Sequence, residues 1–185
     1  MDFQGYKEIV LTELDTVLSA VDGRGVNELA DAVMAARRVF VVGVGRVQLS
    51  LLAFVKRLNH LGIDATYVGA IDEPAIGTED LLIVGSGSGE TAIPVAIAKM
   101  AKNIGVKIVH VGSNTNSSVS DISDIIVRIP CRTKLNLNDE IDSRQPMSSL
   151  FEQSLLIFCD ILAMMIIDKK NLNWKDLWHT HANLE

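Results

Sequence analysis

Leu81-Leu82-Ile83-Val84-Gly85-Ser86-Gly87-Ser88-Gly89-Glu90-Thr91 decides how this 185-residue chain folds. Four apolar residues with no polar member read as a strand buried on both faces. The run passes directly into glycines alternating with serines, and Thr91 to Ile104 then carries apolar residues at helical spacing. Strand, glycine-rich turn and helix in that order make half of a βαβ unit.

The same pattern recurs on either side. Upstream, Val39-Phe40-Val41-Val42 is a second apolar run, ending in Gly43-Val44-Gly45, and Val47 to Leu61 reads as its helix. Ala65 to Val68, Val106 to Val111 and Ile125 to Ile129 read as further strands, with a short helix at Val119 to Ser123. Two amphipathic helices, from about Tyr6 to Val21 and from Gly25 to Ala36, precede the first strand. Met147 to Lys170 is a long helix, apolar nearly all round, whose spare face predicts contact with another subunit. Cys131 to Ser143 reads as an exposed polar loop. Five apolar strands alternating with helices predict a three-layer α/β/α sandwich on a five-stranded parallel sheet. The whole chain, 1–185, is read as one domain. Ligands of such sheets lie beyond the carboxyl ends of the strands, where strand order reverses.

Bulk properties narrow the partners. The formal net charge is −6 and the longest basic cluster is Arg37-Arg38, so nucleic acid is not expected. A small anion remains compatible, because local dipoles outweigh a distant net charge. Cys131 and Cys159 lack metal-type spacing and read as reduced thiols of a cytoplasmic protein. The first residues are no signal peptide, and the longest apolar stretch, Leu155 to Ile167, is short for a bilayer span and contains Asp160. The tail from Trp174 to Glu185 carries Trp174 and Trp178, which argues that it docks.

The chemistry concentrates in the glycine loops. Ser86, Gly87, Ser88, Gly89, Glu90 and Thr91 predict a phosphate cradle. Glycines admit close approach of the backbone, helix N–H groups point outward, and three hydroxyls can donate to phosphate oxygens. It lacks the lysine of a nucleotide P-loop. Gly43-Val44-Gly45-Arg46-Val47-Gln48 begins like a dinucleotide fingerprint but has Gln48 at the third glycine, which argues against NAD. Gly45 and Arg46 are candidate substrate contacts, since a guanidinium at a strand end can reach a phosphate or a sugar hydroxyl.

Gly85-Ser-Gly-Ser-Gly-Glu-Thr91, Gln145-Pro-Met-Ser-Ser-Leu-Phe-Glu-Gln153, His181-Ala-Asn-Leu-Glu185 and Arg57-Leu58-Asn59-His60-Leu61-Gly62 together resemble the 6-phospho-3-hexuloisomerases of the sugar isomerase (SIS) domain family. The resemblance spans almost the whole chain. It implies a flavodoxin-like sheet, a homotetramer, and interconversion of 3-hexulose 6-phosphate and fructose 6-phosphate in the ribulose monophosphate route of formaldehyde fixation, with no metal or organic cofactor. It also implies that Ser86, Ser88 and Thr91 hold phosphate. Glu152 would move a proton through an enediol, and His181 would assist at the sugar oxygens. The sequence departs from the family pattern at Val47, where a serine is usual, and at Ala70, where a glutamate is usual. The alternatives are a relative acting on another sugar phosphate and a non-catalytic sugar-phosphate sensor.

Overall fold

In the computed structural model, which describes residues 1–181, 183 and 184, two helices, α1 (Phe3–Ser19) and α2 (Gly23–Ala35), lead into strand β1 (Val39–Val42). Helix α3 (Gly45–His60), the short strand β2 (Ala65–Tyr67) and β3 (Leu81–Gly85) follow. Next come α4 (Ala92–Ile104), β4 (Lys107–Gly112), a 3₁₀ turn at Ser120–Ile122, β5 (Ile125–Arg128), the long α5 (Ser149–Lys169) and a 3₁₀ segment, Asp176–Thr180. Each predicted element is present within a few residues, except that Val119 to Ser123 forms a 3₁₀ turn rather than an α-helix.

All strand pairs are parallel, in the order β2-β1-β3-β4-β5. The chain leaves β1 outward to β2, then returns to lay β3 on the other side of β1. Strand order therefore reverses at the β1–β3 pair, where Val39 to Val42 align with Leu81 to Val84. Both glycine loops leave the carboxyl ends of that pair, which brings them side by side.

Alternation along the strands explains why they read as unbroken apolar runs. Val39, Val41, Leu81, Ile83, Val109 and Val111 share one core with α1, α2, α3 and α5. Phe40, Val42, Leu82, Val84 and Ile108 share the other with Ala98 and Ala101 of α4. Burial of Phe40, which is wholly inaccessible, contributes roughly 1.5–3 kcal/mol by the usual transfer scale. At the start of the edge strand β2, Asn59 from α3 donates to the Ala65 carbonyl at 3.0 Å and accepts from its N–H at 3.2 Å. Ion pairs hold the amino ends of the sheet, away from the glycine loops. Arg37 grips Asp80 through two nitrogens at 2.9 and 2.7 Å. Burial opposes ionisation of Asp80, but this grip and the Gly77 N–H hold its carboxyl below the usual range.

The 21-residue helix α5 is long and apolar enough to cross a membrane by length and composition, beyond what the stretch from Leu155 to Ile167 predicts. In the fold it is a core helix. Phe151, Leu155, Leu162 and Ile166 are completely buried, while Leu156, Ile161 and Met164 remain exposed. Both cysteines are buried and free. Burial pushes the Cys131 thiol up to about 12 and the Cys159 thiol further. Since only the thiolate is nucleophilic, native protein is expected to resist a thiol-titrating disulfide reagent and to expose both cysteines in denaturant. Rapid native labelling of either would contradict this burial.

Candidate active site

The turns after β1 and β3 and the N-terminal turn of α5 enclose a cavity of about 900 Å³. Its lining includes Gly45 and Arg46 from the first turn, Ser86, Gly87, Ser88 and Thr91 from the second, and Ser148 and Glu152 from α5. Arg132, Thr133, Lys134 and Asn136 close the remaining side. Three helices thus present their N-termini to one space, each with positive dipole and unpaired N–H groups directed there. The lining also carries three cations, Arg46, Arg132 and Lys134, against one acid, Glu152. Arg46 pairs with Glu152 and Arg132 with Asp142, so Lys134 tips the local balance positive, against the chain's net charge of −6, and this is compatible with an anion.

The loop after β3 is built for close approach. A Cβ on Gly87 would lie 3.2 Å from Thr133 Cγ2, so a larger residue would crowd the opposite wall. Gly89 takes a positive φ of 65°, and a Cβ there would fall 2.0 Å from Ser117 Oγ. Ser86 Oγ accepts from the Gly89 N–H at 3.1 Å, and Ser88 Oγ accepts from the Glu90 N–H at 3.3 Å. Both serines use oxygen lone pairs in these bonds; Ser86 Oγ also donates to Thr91 Oγ1 at 3.5 Å, a long bond, while Ser88 keeps its hydroxyl proton for the cavity. Among the described residues, the N–H groups of Gly87, Ser88 and Thr91 have no protein acceptor.

Glu90 and Gly89 do not line the cavity. The Glu90 carboxylate accepts from Ser118 N–H at 2.8 Å and Ser118 Oγ at 2.7 Å, and these two bonds hold its carboxyl below the usual range. Its side chain fastens the loop and is turned away from any ligand.

Glu152 sits in the first turn of α5, its side chain 12% exposed. One carboxylate oxygen pairs with Arg46 Nε and the other accepts from Ser148 Oγ at 3.1 Å. The structure brings Glu152, Arg46 and the serine loop into one cavity. His181 is not brought there within the chain. Its ring stacks on His60 at 5.2 Å and meets Trp178 in a tilted contact at 5.4 Å. His60 ends α3, whose first residue, Gly45, lines the cavity, so roughly 22 Å of helix separates the two places. The tail docks as expected on α3, where Thr180 Oγ1 donates to the His60 carbonyl at 2.6 Å, although Trp174 and Trp178 stay exposed. Ala182 and Glu185 of the terminal motif lie outside the described residues.

The two departures from the family pattern have structural counterparts. Val47 packs between the two turns, its Cγ1 3.1 Å from where a Cβ on Gly43 would stand and 3.0 Å from one on Gly85. Gln48 Oε1 accepts from the Gly43 N–H at 2.7 Å and so closes the first turn. After β2, Glu73 accepts from the Gly69 N–H at 2.7 Å, and neither it nor Ala70 lines the cavity.

The segment from Cys131 to Ser143, expected as an exposed loop, is partly interior. Cys131 and Thr133 are buried. Glu140 gathers the turn by accepting from Thr133 N–H at 3.0 Å, Thr133 Oγ1 at 2.6 Å and Leu137 N–H at 3.0 Å. Glu13 of α1 then holds Ser143 Oγ, Arg144 N–H and Gln145 Nε2, all within 3.0 Å, which fixes the approach to Glu152. Burial raises the Glu13 carboxyl, but these bonds outweigh it and leave it below its usual range.

Sequence reading also missed His110, a wholly buried imidazole in β4. Its Nε2 donates to the Ser86 carbonyl at 2.9 Å, and its Nδ1 accepts from Ser120 Oγ at 2.8 Å. Burial lowers its pKa from 6.5, with the Ser86 bond opposing in part. A histidine that resists protonation only when folded binds fewer protons than in the unfolded chain. Its contribution is therefore complete above pH 6.5 and lost as pH falls below that value toward the folded pKa. Denaturant unfolding at a series of pH values should show this loss in the wild type and its absence in His110→Gln. Identical profiles would contradict the assignment.

The fold and this site define a class. The chain belongs to the SIS domain family, whose pattern matches residues 33–157. It is 36% identical over 180 residues to 3-hexulose-6-phosphate isomerase of Bacillus subtilis, with 97% of each chain covered. It is 35% identical to the enzyme of the same name from Mycobacterium gastri, covering 100% of this chain and 92% of that one. A Methanococcus jannaschii protein, whose crystal structure led to an inferred molecular function of 3-hexulose-6-phosphate isomerase, superposes with a TM-score of 0.83 at 29% identity, covering 98% of this chain and 99% of that one. Family and full-length relatives together make the chain an isomerase.

Proposed function

We propose that this chain interconverts 3-hexulose 6-phosphate and fructose 6-phosphate, with Glu152 moving the proton. The observation that carries the reading is a single carboxylate, paired with a guanidinium, facing a neutral cradle of serine hydroxyls and free N–H groups across one cavity. The phosphate is held by Ser86, Ser88 and Thr91 with the N–H groups of Gly87 and Ser88. Glu152 removes the proton from C2 of the 3-ketose, and the electron pair forms the C2–C3 double bond of an enediolate. The hydroxyl proton passes from O2 to O3, and the acid form of Glu152 returns its proton to C3, leaving the carbonyl at C2. Arg46 stabilises the negative charge that develops on the oxygens, and Ser148 holds the carboxylate in place. No protein cofactor takes part in this sequence.

The assignment is tested by following 3-hexulose 6-phosphate in heavy water by NMR. Fructose 6-phosphate carrying deuterium at C3 supports an enediol. Turnover without solvent exchange, or none at all, argues against it. A panel of other sugar phosphates belongs in the same experiment, because Val47 places a branched apolar side chain where the family usually has a hydroxyl.

Assembly as a homotetramer in the cytoplasm belongs to this reading. It is supported by the apolar side chains left exposed on α5 and by exposed Trp174 and Trp178. In such an assembly His181 serves a neighbouring subunit's cavity.

A further inference from the structure

We infer that His110 is a positioning residue for the phosphate cradle, aiming backbone N–H groups at the ligand from behind the loop. The inference rests on the reading of that loop as the phosphate site. Peptide bonds here are trans, and in a trans peptide the C=O of one residue and the N–H of the next point in opposite directions. The Ser86 carbonyl is drawn toward β4 by His110 Nε2 at 2.9 Å, the shorter of its two bonds, the other coming from the Gly89 N–H of its own turn at 3.2 Å. The Gly87 N–H in the same peptide plane must then point the other way, to the side where Gly87 lines the cavity.

The next two carbonyls are held in the same manner. The Gly87 carbonyl accepts from the N–H groups of Ser113 and Asn114, both at 3.0 Å, which turns the Ser88 N–H forward. The Ser88 carbonyl accepts from Asn114 Nδ2 at 3.2 Å. Three successive carbonyls of the loop are thus clamped from the side opposite the ligand, and His110 is the one clamp made by a ring. Its tautomer is fixed. The Ser86 carbonyl can only accept, so the proton stands on Nε2, and Nδ1 of the neutral ring is left to accept from Ser120 Oγ at 2.8 Å. Ser120 is itself held by Ser117 at 3.0 Å. Space around the contact is closed, since a Cβ on Gly112 would fall 2.3 Å from His110 Nε2.

A group that only orients phosphate donors acts on ground state and transition state alike, because the phosphate takes no part in the reaction. Its loss should therefore appear in KM and leave kcat alone. The experiment compares wild type, His110→Leu and His110→Gln, using turnover kinetics and calorimetric titration with fructose 6-phosphate. Leucine fills the space with no donor, whereas the amide nitrogen of glutamine stands close to where Nε2 was. His110→Leu is expected to raise KM and Kd about tenfold or more with kcat within about twofold of wild type, and His110→Gln to recover most of that loss. An unchanged KM in His110→Leu, a fall in kcat at constant KM, or a glutamine variant no better than leucine would each overturn the inference. Should His110→Leu fail to fold, Ser120→Ala carries the test. It removes the hydroxyl that holds the far side of the ring, so the ring can turn from the Ser86 carbonyl, and should raise KM about threefold at constant kcat, and an unchanged KM there overturns the inference equally. Failure of the wild type to bind fructose 6-phosphate is a different result, which removes the phosphate reading itself.

Discussion

Glu152→Gln is expected to lower kcat by about 10²–10⁴-fold, the range a positioned general base supplies, while fructose 6-phosphate affinity stays within a few-fold of wild type. The substitution keeps the shape of the side chain and an oxygen that can still accept from Ser148 or Arg46. It removes only the ability to take a proton from carbon. Affinity is expected to survive because the proposed phosphate contacts come from another element, the loop after β3. Loss of the one acid in a cavity lined by Arg46, Arg132 and Lys134 also makes it more positive, which favours an anion. NMR conversion assays and calorimetric titration measure the two quantities separately. A kcat within tenfold of wild type would place the base elsewhere. Joint loss of turnover and binding would make Glu152 a structural partner of Arg46.

The glycine turn after β3 was legible in the sequence for a physical reason. Strands of a parallel sheet are covered on both faces, so β1 and β3 appear as continuous apolar runs, and the glycines that follow have no alternative use as dense as Gly85-Ser86-Gly87-Ser88-Gly89. Glu152 was legible only through resemblance. An acid in the first turn of a helix is ordinarily explained by the helix dipole, and nothing local announces that Arg46, more than a hundred residues away, meets it. His110 was invisible because its partners, Ser86 and Ser120, are adjacent only after β3 and β4 pair. The segment from Cys131 to Ser143 is largely the exposed loop expected, but its polar composition hid the inward turn of Cys131 and Thr133. Glu140 satisfies several of its donors internally, and that lets Thr133 sit under the cavity wall. His181 could not be placed from sequence either. Its position depends on stacking against His60, at the far end of α3 from the cavity.

Gly112→Ala is expected to damage stability and ligand binding together. Gly112 closes β4 and is buried. A Cβ there would stand 2.4 Å from the Ser86 carbonyl oxygen and 2.3 Å from His110 Nε2. Neither is a flexible side-chain tip. The first is backbone of the glycine loop after β3, and the second is a ring held by hydrogen bonds on both nitrogens. Relief requires the loop to move away from β4, which breaks the His110–Ser86 bond and releases the clamp on the Gly87 N–H. Overpacking of a core costs about 1–3 kcal/mol and occasionally more, and two clashes against buried hydrogen-bonded groups put this case near ~3 kcal/mol. For a chain of this size that lowers Tm by roughly 6–12 °C. Fructose 6-phosphate, which should raise the wild-type Tm by mass action, should raise that of Gly112→Ala much less. Gly23→Ala is the control. It begins α2, has nothing within 4 Å of a new Cβ, and should leave Tm unchanged or slightly raised while keeping the full response to ligand. Scanning calorimetry of the three proteins with and without fructose 6-phosphate decides the matter. A Gly112→Ala protein with wild-type Tm and a full ligand shift would show that the loop can stand off from β4 at no cost, and that the clamp is not what shapes the cradle.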